Sequence, residues 1–333
     1  MKNSPISVLG SGAWGTALAV HLAHNGSEPL MWGYEASHVE AMKVERENRR
    51  YLAGVKFPES LQLTASLEEA VSDVQDILIV VPSEGFRTTL QKIKPFLRAN
   101  ARIMWATKGL ESQTGQFLHQ VVAEELGNEM ACAVISGPSF AAELGRNQPT
   151  AVTVACEDKA FTKDILDRFH RGSLRLYSNE DLIGVQLGGA MKNVMALAAG
   201  VSDGLGFGTN AQAALITRGL AEIMRLGDAL GAQRETLMGL AGLGDLVLTC
   251  TDNLSRNRRY GVAIGQGKER GAALAEIQQV VEGAVTAKAV VQVAKSLDIE
   301  LPICELVYRV LYEDLRPVDA VDALLNRAPT REF

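Results

Sequence analysis

Short, nearly uninterrupted apolar runs alternate with stretches of helical periodicity through the first half of the chain. The runs 6–9, 29–32, 76–81, 102–107, 133–135, 151–155 and 174–177 predict strands, and 17–24 predicts a helix between the first two. Strands that are apolar on both faces and separated by helices predict a parallel sheet covered on both sides. The expected fold of this half is therefore doubly wound α/β, of the Rossmann kind, with a mostly parallel sheet. From about Gly184 the strand pattern stops. Segments 184–202, 210–230, 274–295 and 303–312 read as helices rich in Ala, Leu and Glu, with polar, glycine-rich loops at 203–209 and 252–257. The expected organisation is a dinucleotide-binding unit over 1–185 and an all-α unit over 186–333, its last residues, 327–333, forming a frayed tail.

Composition narrows the functional classes. At 333 residues the chain is long enough for two domains, and 33 basic against 39 acidic residues leave a net charge of −6. Such a chain has no global field for attracting nucleic acid or anionic lipid, although a local basic patch can still hold an anion. Cys132, Cys156, Cys250 and Cys304 lie far apart with no metal-like spacing, which reads as reduced thiols and no metal site. The N-terminus has neither a long apolar core nor a small-residue cleavage site, so no signal peptide is expected. The best candidate for a membrane span, 187–201, carries Lys192 and Asn193 inside it. A cytoplasmic protein with no membrane span is the expectation.

The chemistry begins at Gly10-Ser11-Gly12-Ala13-Trp14-Gly15, a G-x-G-x-x-G that follows a strand and opens a helix. In that context Gly10 permits the tight turn, Gly12 lets the backbone approach a pyrophosphate, and Gly15 allows close packing of helix on strand. The helix N-terminus then offers N–H groups and a positive dipole end to the phosphates. A residue at the end of the second strand distinguishes the two nicotinamide dinucleotides: an acid accepts from a ribose 2′-hydroxyl, a base favours a 2′-phosphate. Here the strand ends Trp32-Gly33-Tyr34-Glu35, with Arg46, Arg49 and Arg50 downstream. The signal is mixed between NADH and NADPH, and the arginines read more simply as a solvated face.

In doubly wound sheets ligands lie outside the carboxyl ends of the strands. Three such ends carry Pro82-Ser83, Lys108-Gly109 and Gly137-Pro138-Ser139. A lysine directly after a buried strand points to a site, whereas Gly137 and Ser139 read equally well as turn residues. In the helical half Lys192 interrupts an apolar helix. It is either a proton donor and acceptor, its pKa lowered by burial, or a cation snorkelling to solvent. Asp245, between glycines and an apolar run, is either a helix cap or a buried partner for a cation. Ser255-Arg256-Asn257-Arg258-Arg259 is a basic loop in an acidic chain, a candidate anion clamp or a solvated charge run.

Taken together, GSGAWGTALA, VVPS, WATKGLE, SGPSFAAE, GVQLGGAMKNVMA, GLGDLVLTCT, SRNRRYG and VVEG resemble the NAD(P)-dependent glycerol-3-phosphate dehydrogenases of the bacterial soluble type, in the family's order and over essentially the whole chain. The resemblance implies interconversion of dihydroxyacetone phosphate and sn-glycerol 3-phosphate, with NADH or NADPH as cofactor, supplying the glycerol phosphate backbone of phospholipids. It implies that Lys192 is the catalytic lysine, Lys108 a second active-site lysine, and Asp245 the catalytic carboxylate that orients the Lys192 ammonium through a hydrogen bond. Gly137, Ser139, Asp245, Ser255, Arg256 and Asn257 fall on substrate positions. Trp14, Tyr34, Lys108, Ala141, Arg256, Val280 and Glu282 fall on cofactor positions, beside Gly10, Gly12 and Gly15. Where many relatives have Ser, this chain has Ala13, and where they have His-Arg or His-Asp it has Tyr34-Glu35. A homodimer acting on a small phosphorylated substrate is the implied assembly. Two rival readings are a related hydroxyacid dehydrogenase, using the basic loop for a carboxylate, and a dinucleotide-binding redox sensor without turnover.

Overall fold

The structure is a computed structural model and describes residues 5–277 and 279–328, so most of the expected C-terminal tail lies outside the described residues. The chain divides into two compact units: Met1–Glu111 with Gln116–Gln186, and Ser112–Gly115 with Leu187–Phe333.

The first unit is built on one eight-stranded sheet. Its strands are β1 (Ile6–Leu9), β2 (Pro29–Trp32), β3 (Gln62–Thr64), β4 (Asp76–Ile79), β5 (Arg102–Trp105), β6 (Cys132–Ser136), β7 (Thr150–Ala155) and β8 (Leu174–Asn179). They lie in the order β3-β2-β1-β4-β5-β6-β7-β8. Every neighbouring pair is parallel except β6 and β7, which run antiparallel with Ile135 opposite Val154. The fold is doubly wound and mostly parallel. β1 and β4 are buried along their whole length, which is why they read as apolar runs broken only by Ser7 and by Asp76, the latter paired with Arg102 and Arg168. On one face Ile6, Val8 and Leu78 pack with Leu18 and Leu22 of the helix Ala13–His24 and with Phe161, Ile165 and Phe169 of Lys159–Phe169. On the other, Trp105 meets Phe86 edge-on at 5.8 Å. β8 alternates buried and exposed positions, as an edge strand with one covered face does.

The second unit is helical. Its principal elements are Leu182–Gly204, Thr209–Leu230, Asp245–Thr251, Arg256–Gly265, Glu282–Ser296 and Pro302–Tyr312, with a π-helical turn at Leu240–Gly244. The helix Leu182–Gly204 is long and apolar enough to cross a bilayer, but 94% of its apolar window is buried inside the protein. It is the central helix of a core. Its Gly200 and Gly204 face Gly261 and Gly265 of the helix Arg256–Gly265. A Cβ on Gly200 would lie 2.1 Å from the Arg258 carbonyl oxygen, and one on Gly261 would lie 2.3 Å from that of Leu197. The two backbones are in direct contact, which only glycine permits.

Two expectations are corrected here. The helix expected over 274–295 is two helices, Arg270–Ile277 and Glu282–Ser296. Val280 and Val281 fall between them. β-branched side chains lose rotamer freedom in a helix, and Glu282 favours a fresh start by placing negative charge on the new N-terminus. The loop expected over 252–257 ends early, because the Ser255 hydroxyl accepts from the Arg258 N–H at 3.2 Å and caps the helix Arg256–Gly265. The basic segment is therefore mostly the first turn of a helix.

Candidate active site

Each unit presents its own polar constellation. In the first, β1 is followed by Gly10, whose φ of +127° and the Val80 carbonyl oxygen, 2.7 Å from where a Cβ would stand, both demand glycine. Gly15 is equally constrained, its Cβ position lying 2.0 Å from the Gly10 carbonyl oxygen. Gly12 differs: a Cβ there would meet nothing within 4 Å. It is the N-cap of Ala13–His24 and offers no side-chain cap, so the first-turn N–H groups face the open space that a side chain would fill. A pyrophosphate fits that cradle on both shape and charge. Trp14 packs partly buried on the core beside it, its indole Nε1 buried with no hydrogen-bond partner among the described residues.

The neighbouring strand ends are tied to one another. Thr107 donates its hydroxyl to the Val81 carbonyl at 2.6 Å. Half-buried Lys108 donates to the Gly137 carbonyl at 2.7 Å and approaches the Ser139 hydroxyl at 3.3 Å. Ser139 donates to the same Gly137 carbonyl at 2.9 Å. Gly137 has φ +147° and a Cβ position 2.9 Å from the Cα of Val152. Lys108, Gly137 and Ser139 thus form one cluster beyond β5 and β6. Ala141 opens the short helix Ala141–Gly145 and packs on the core. Tyr34 is 83% exposed, edge-on to Trp32 at 6.3 Å.

In the second unit Lys192 is buried in the middle of Leu182–Gly204, 8% exposed, and does not snorkel out along its stem. Its ammonium donates to Asp245 Oδ1 at 2.9 Å and to the Thr249 hydroxyl at 2.9 Å. Asp245 is 1% exposed and is the first residue of Asp245–Thr251, one turn before Thr249. Its carboxylate is the partner of a cation, and Gly244, not Asp245, stands at the cap position. Thr249 donates in turn to the Asp245 carbonyl at 2.6 Å. The close approach that aligns them comes from Gly188, whose Cβ position lies 2.5 Å from the Ala241 carbonyl oxygen.

One residue along, the Asn193 side-chain oxygen accepts from Asn257 Nδ2 at 2.9 Å, and the Asn257 oxygen accepts from the Gly283 N–H at 2.9 Å. Arg258 is paired with Asp203 at 2.7 Å. Arg256 is exposed, 3.4 Å from Gln279 Oε1, with the Glu282 carboxylate near enough to act on its charge. Val280 is 39% exposed beside them. Lys192, Asp245 and Thr249 therefore form one buried group and Asn193, Asn257 and Gly283 a second, sharing the helix Leu182–Gly204 through the adjacent Lys192 and Asn193, with Ser255 buried at the cap of Arg256–Gly265 and Arg256 exposed. Thr249 in the first group and Asn193 in the second were not singled out as site residues in the sequence. The signal for Thr249 was its spacing of four from Asp245 on a helix. Among the described residues, no three His, Cys, Asp or Glu side chains are placed to hold a metal.

A Rossmann sheet with this glycine cradle, followed by a helical unit carrying a buried lysine–carboxylate pair, is the plan of a nicotinamide-dependent oxidoreductase. Residues 5–162 match the N-terminal domain of NAD-dependent glycerol-3-phosphate dehydrogenase, and residues 181–322 match its C-terminal domain. A glycerol-3-phosphate dehydrogenase of the NAD(P)+ type from Thioalkalivibrio sulfidiphilus is 55% identical over 334 residues, covering 100% of both chains. One from Aeromonas hydrophila is 54% identical over 323 residues, covering 97% of each. The crystal structure of glycerol-3-phosphate dehydrogenase from Coxiella burnetii superimposes with a TM-score of 0.96 at 49% identity, covering 98% of this chain and 100% of that one. The chain belongs to the NAD-dependent glycerol-3-phosphate dehydrogenase family.

Proposed function

We propose that this chain interconverts dihydroxyacetone phosphate and sn-glycerol 3-phosphate, with Lys192 as the general acid and base. The observation that carries this is the buried Lys192 ammonium, held at 2.9 Å by both Asp245 and Thr249. Two of its three protons are thereby directed, which leaves the third for a substrate oxygen. The nicotinamide, when bound, supplies or takes up the hydride at the substrate carbon. In the reducing direction Lys192 gives a proton to the oxygen that becomes the secondary alcohol and regains it from solvent. In oxidation it accepts that proton. Asp245 and Thr249 hold the ammonium in position. Lys108, fixed by the Gly137 carbonyl, opposes the negative charge that develops on the oxygen. Arg256, with its planar fork of donors, and the second amide proton of Asn257 bind the phosphate. That remote binding energy orients the carbonyl. The reaction supplies glycerol phosphate for phospholipid synthesis, and the enzyme acts as a cytoplasmic homodimer.

The test follows the loss of reduced-nicotinamide absorbance with dihydroxyacetone phosphate as the acceptor and unphosphorylated dihydroxyacetone as the control. Turnover restricted to the phosphorylated ketone is expected. Faster turnover of hydroxyacids or their keto forms would favour the hydroxyacid dehydrogenase reading. Dinucleotide binding without turnover of any ketone would favour a sensor.

A further inference from the structure

Two charges in the helical unit stand at the unfavourable ends of their own helices. Asp203 lies in the last turn of Leu182–Gly204, and Arg258 lies in the first turn of Arg256–Gly265. A helix macrodipole disfavours an acid at its C-terminus and a base at its N-terminus, so neither residue serves the helix that carries it. They serve each other. Arg258 Nη2 stands 2.7 Å from Asp203 Oδ2, with the two side chains only 13% and 19% exposed. Arg258 Nη1 donates to Asn253 Oδ1, and its Nε is buried with no hydrogen-bond partner among the described residues. The pair spans the seam between the two helices. A Cβ on Gly200 would lie 2.1 Å from the Arg258 carbonyl oxygen, and one on Gly204 would lie 2.4 Å from that of Val262, so the helices run in the same direction. Such a seam brings backbones together without interlocking side chains, and its contacts recur with each turn. Side chains that cross it must then fix the register. Asn257 crosses it to Asn193 at 2.9 Å, and Arg258 crosses it to Asp203. The buried Cys250 thiol lies within electrostatic reach of both Lys192–Asp245 and Arg258–Asp203, which places the two ion pairs close together.

We propose that Asp203 and Arg258 are positioning residues: their ion pair fixes the first turn of Arg256–Gly265, and with it Arg256 and Asn257, relative to Lys192. The inference rests on the reading of Arg256 and Asn257 as the groups that bind the substrate phosphate. Three successive residues then have three tasks. Arg256 is exposed, Asn257 is shared between Asn193 and the Gly283 N–H, and Arg258 turns back to Asp203. The first turn of a helix is weakly held, because its N–H groups have no partners within the helix. The Ser255 hydroxyl supplies one restraint through the Arg258 N–H. Asp203 supplies another, and it belongs to the helix that carries Lys192. The separation of phosphate clamp and lysine decides whether the substrate oxygen is presented within reach of the ammonium. Without the pair the first turn loses its fixed place and the phosphate is held less well. Lys192 keeps its own supports, Asp245 and Thr249, so the loss falls on KM and not on kcat.

The experiment measures kcat and KM for dihydroxyacetone phosphate at saturating reduced dinucleotide, in the wild type and in Asp203→Asn, Arg258→Gln and Arg258→Lys. Inorganic phosphate serves as a competing probe of the clamp, and melting temperatures are recorded alongside. Asp203→Asn and Arg258→Gln should each raise KM, and the inhibition constant of inorganic phosphate with it, by about tenfold, the scale of one charge-assisted hydrogen bond. In both, kcat should stay within about threefold of the wild type, as expected when binding is lost and the chemical step is not. Arg258→Lys keeps a cation opposite Asp203 and should hold KM within about threefold of the wild type. A merely structural pair would lower the melting temperature and leave both constants unchanged in the folded protein, and that result overturns the proposal. So does a kcat that falls while KM stays put. Should Arg258→Gln fail to fold, the near-isosteric Asp203→Asn and the charge-keeping Arg258→Lys carry the same test. Failure of inorganic phosphate to compete with substrate in the wild type would instead overturn the reading of the clamp, and this inference with it.

Discussion

The glycine cradle after β1 and the cluster around Lys192 solve one problem, presenting polar groups inside a packed protein, by opposite means. The cradle uses backbone N–H groups and succeeds by leaving side chains out. Its parts span six consecutive residues, and the strand before it is wholly buried. The Lys192 cluster uses charged side chains and succeeds by bringing them together across 53 residues of sequence, the span from Lys192 to Asp245. A site built from missing side chains tolerates loss of its ligand, because a helix N-terminus remains hydrated when nothing is bound. A site built from a buried ion pair is also part of the core, so its chemistry and its stability cannot be changed separately by one substitution. Breaking a buried pair leaves a charge without a partner, at a typical cost of about 3–5 kcal/mol.

Lys192→Ala is the largest way to break this contrast. Turnover should fall by about 10²–10⁴-fold, the range for loss of a positioned acid and base. The melting temperature should fall with it, because the Asp245 carboxylate, 1% exposed, loses the cation that offsets its burial. The double variant Lys192→Met with Asp245→Asn should recover most of the stability and none of the turnover. Turnover surviving in either variant would remove Lys192 from catalysis, while equal melting temperatures for the single and double variants would show that the pair does not couple to the fold.

The same contrast decides how much was legible before the structure. The cradle reads directly, because strand, turn and helix are consecutive and each glycine has a local reason. The apolar runs of β1, β4 and β5 read for the same reason. β3 did not, since Gln62–Thr64 is three residues long with no apolar run. β7 runs antiparallel to β6, and nothing in the composition of Thr150–Ala155 marks its direction. In the helical unit Lys192 was visible as a polar residue in an apolar helix, but no pattern in the sequence itself, only the family resemblance, pointed to Asp245 as the group that orients its ammonium. The pairing depends on Gly188 letting the turn at Leu240–Gly244 approach, a tertiary contact that no window of sequence contains. Family resemblance pointed to Lys192 and Asp245. The physics of their pairing came from the fold.

Glu222 sharpens the comparison between the two kinds of support. Like Asp245 it is a buried carboxylate of the helical unit, but it leans on backbone donors, accepting from the N–H groups of Ile303 at 2.6 Å and Cys304 at 3.2 Å. Burial raises its pKa to about 7 despite those two bonds. The folded state then holds a proton that the unfolded chain releases near its ordinary value. The stabilisation is full below about pH 4.5 and is lost as pH rises through about 7, at most about 3 kcal/mol in all. Denaturant unfolding of the full chain across that interval should show this decline. In Glu222→Gln it should be absent, and an identical slope in both proteins would assign the pH dependence to other groups. Asp245, with a lysine beside it, is a different case: its support is a charge, not a pair of dipoles.

Within the cradle, the two glycines that look alike in sequence should separate in effect. At Gly15 a methyl group would stand 2.0 Å from the Gly10 carbonyl oxygen. Gly15→Ala must therefore shift helix against loop and lower stability by about 1–3 kcal/mol even without ligand, the usual cost of overpacking. At Gly12 the same methyl group meets nothing within 4 Å, and φ is −72° with extended ψ. Gly12→Ala should leave the melting temperature of the free protein within about 1 °C, because no contact is strained and the backbone suits any residue. Its effect should appear only with dinucleotide present, as a loss of about tenfold in affinity where the methyl group occupies the approach to the phosphates. Paired measurements of melting temperature and NADH affinity check both at once. Equal loss of stability in the two variants would mean that Gly12 is held by packing. Unchanged affinity in Gly12→Ala would mean that the phosphates do not lie over it. The separation is smaller than the effect at Lys192, and it is the more direct test of a site made by leaving side chains out.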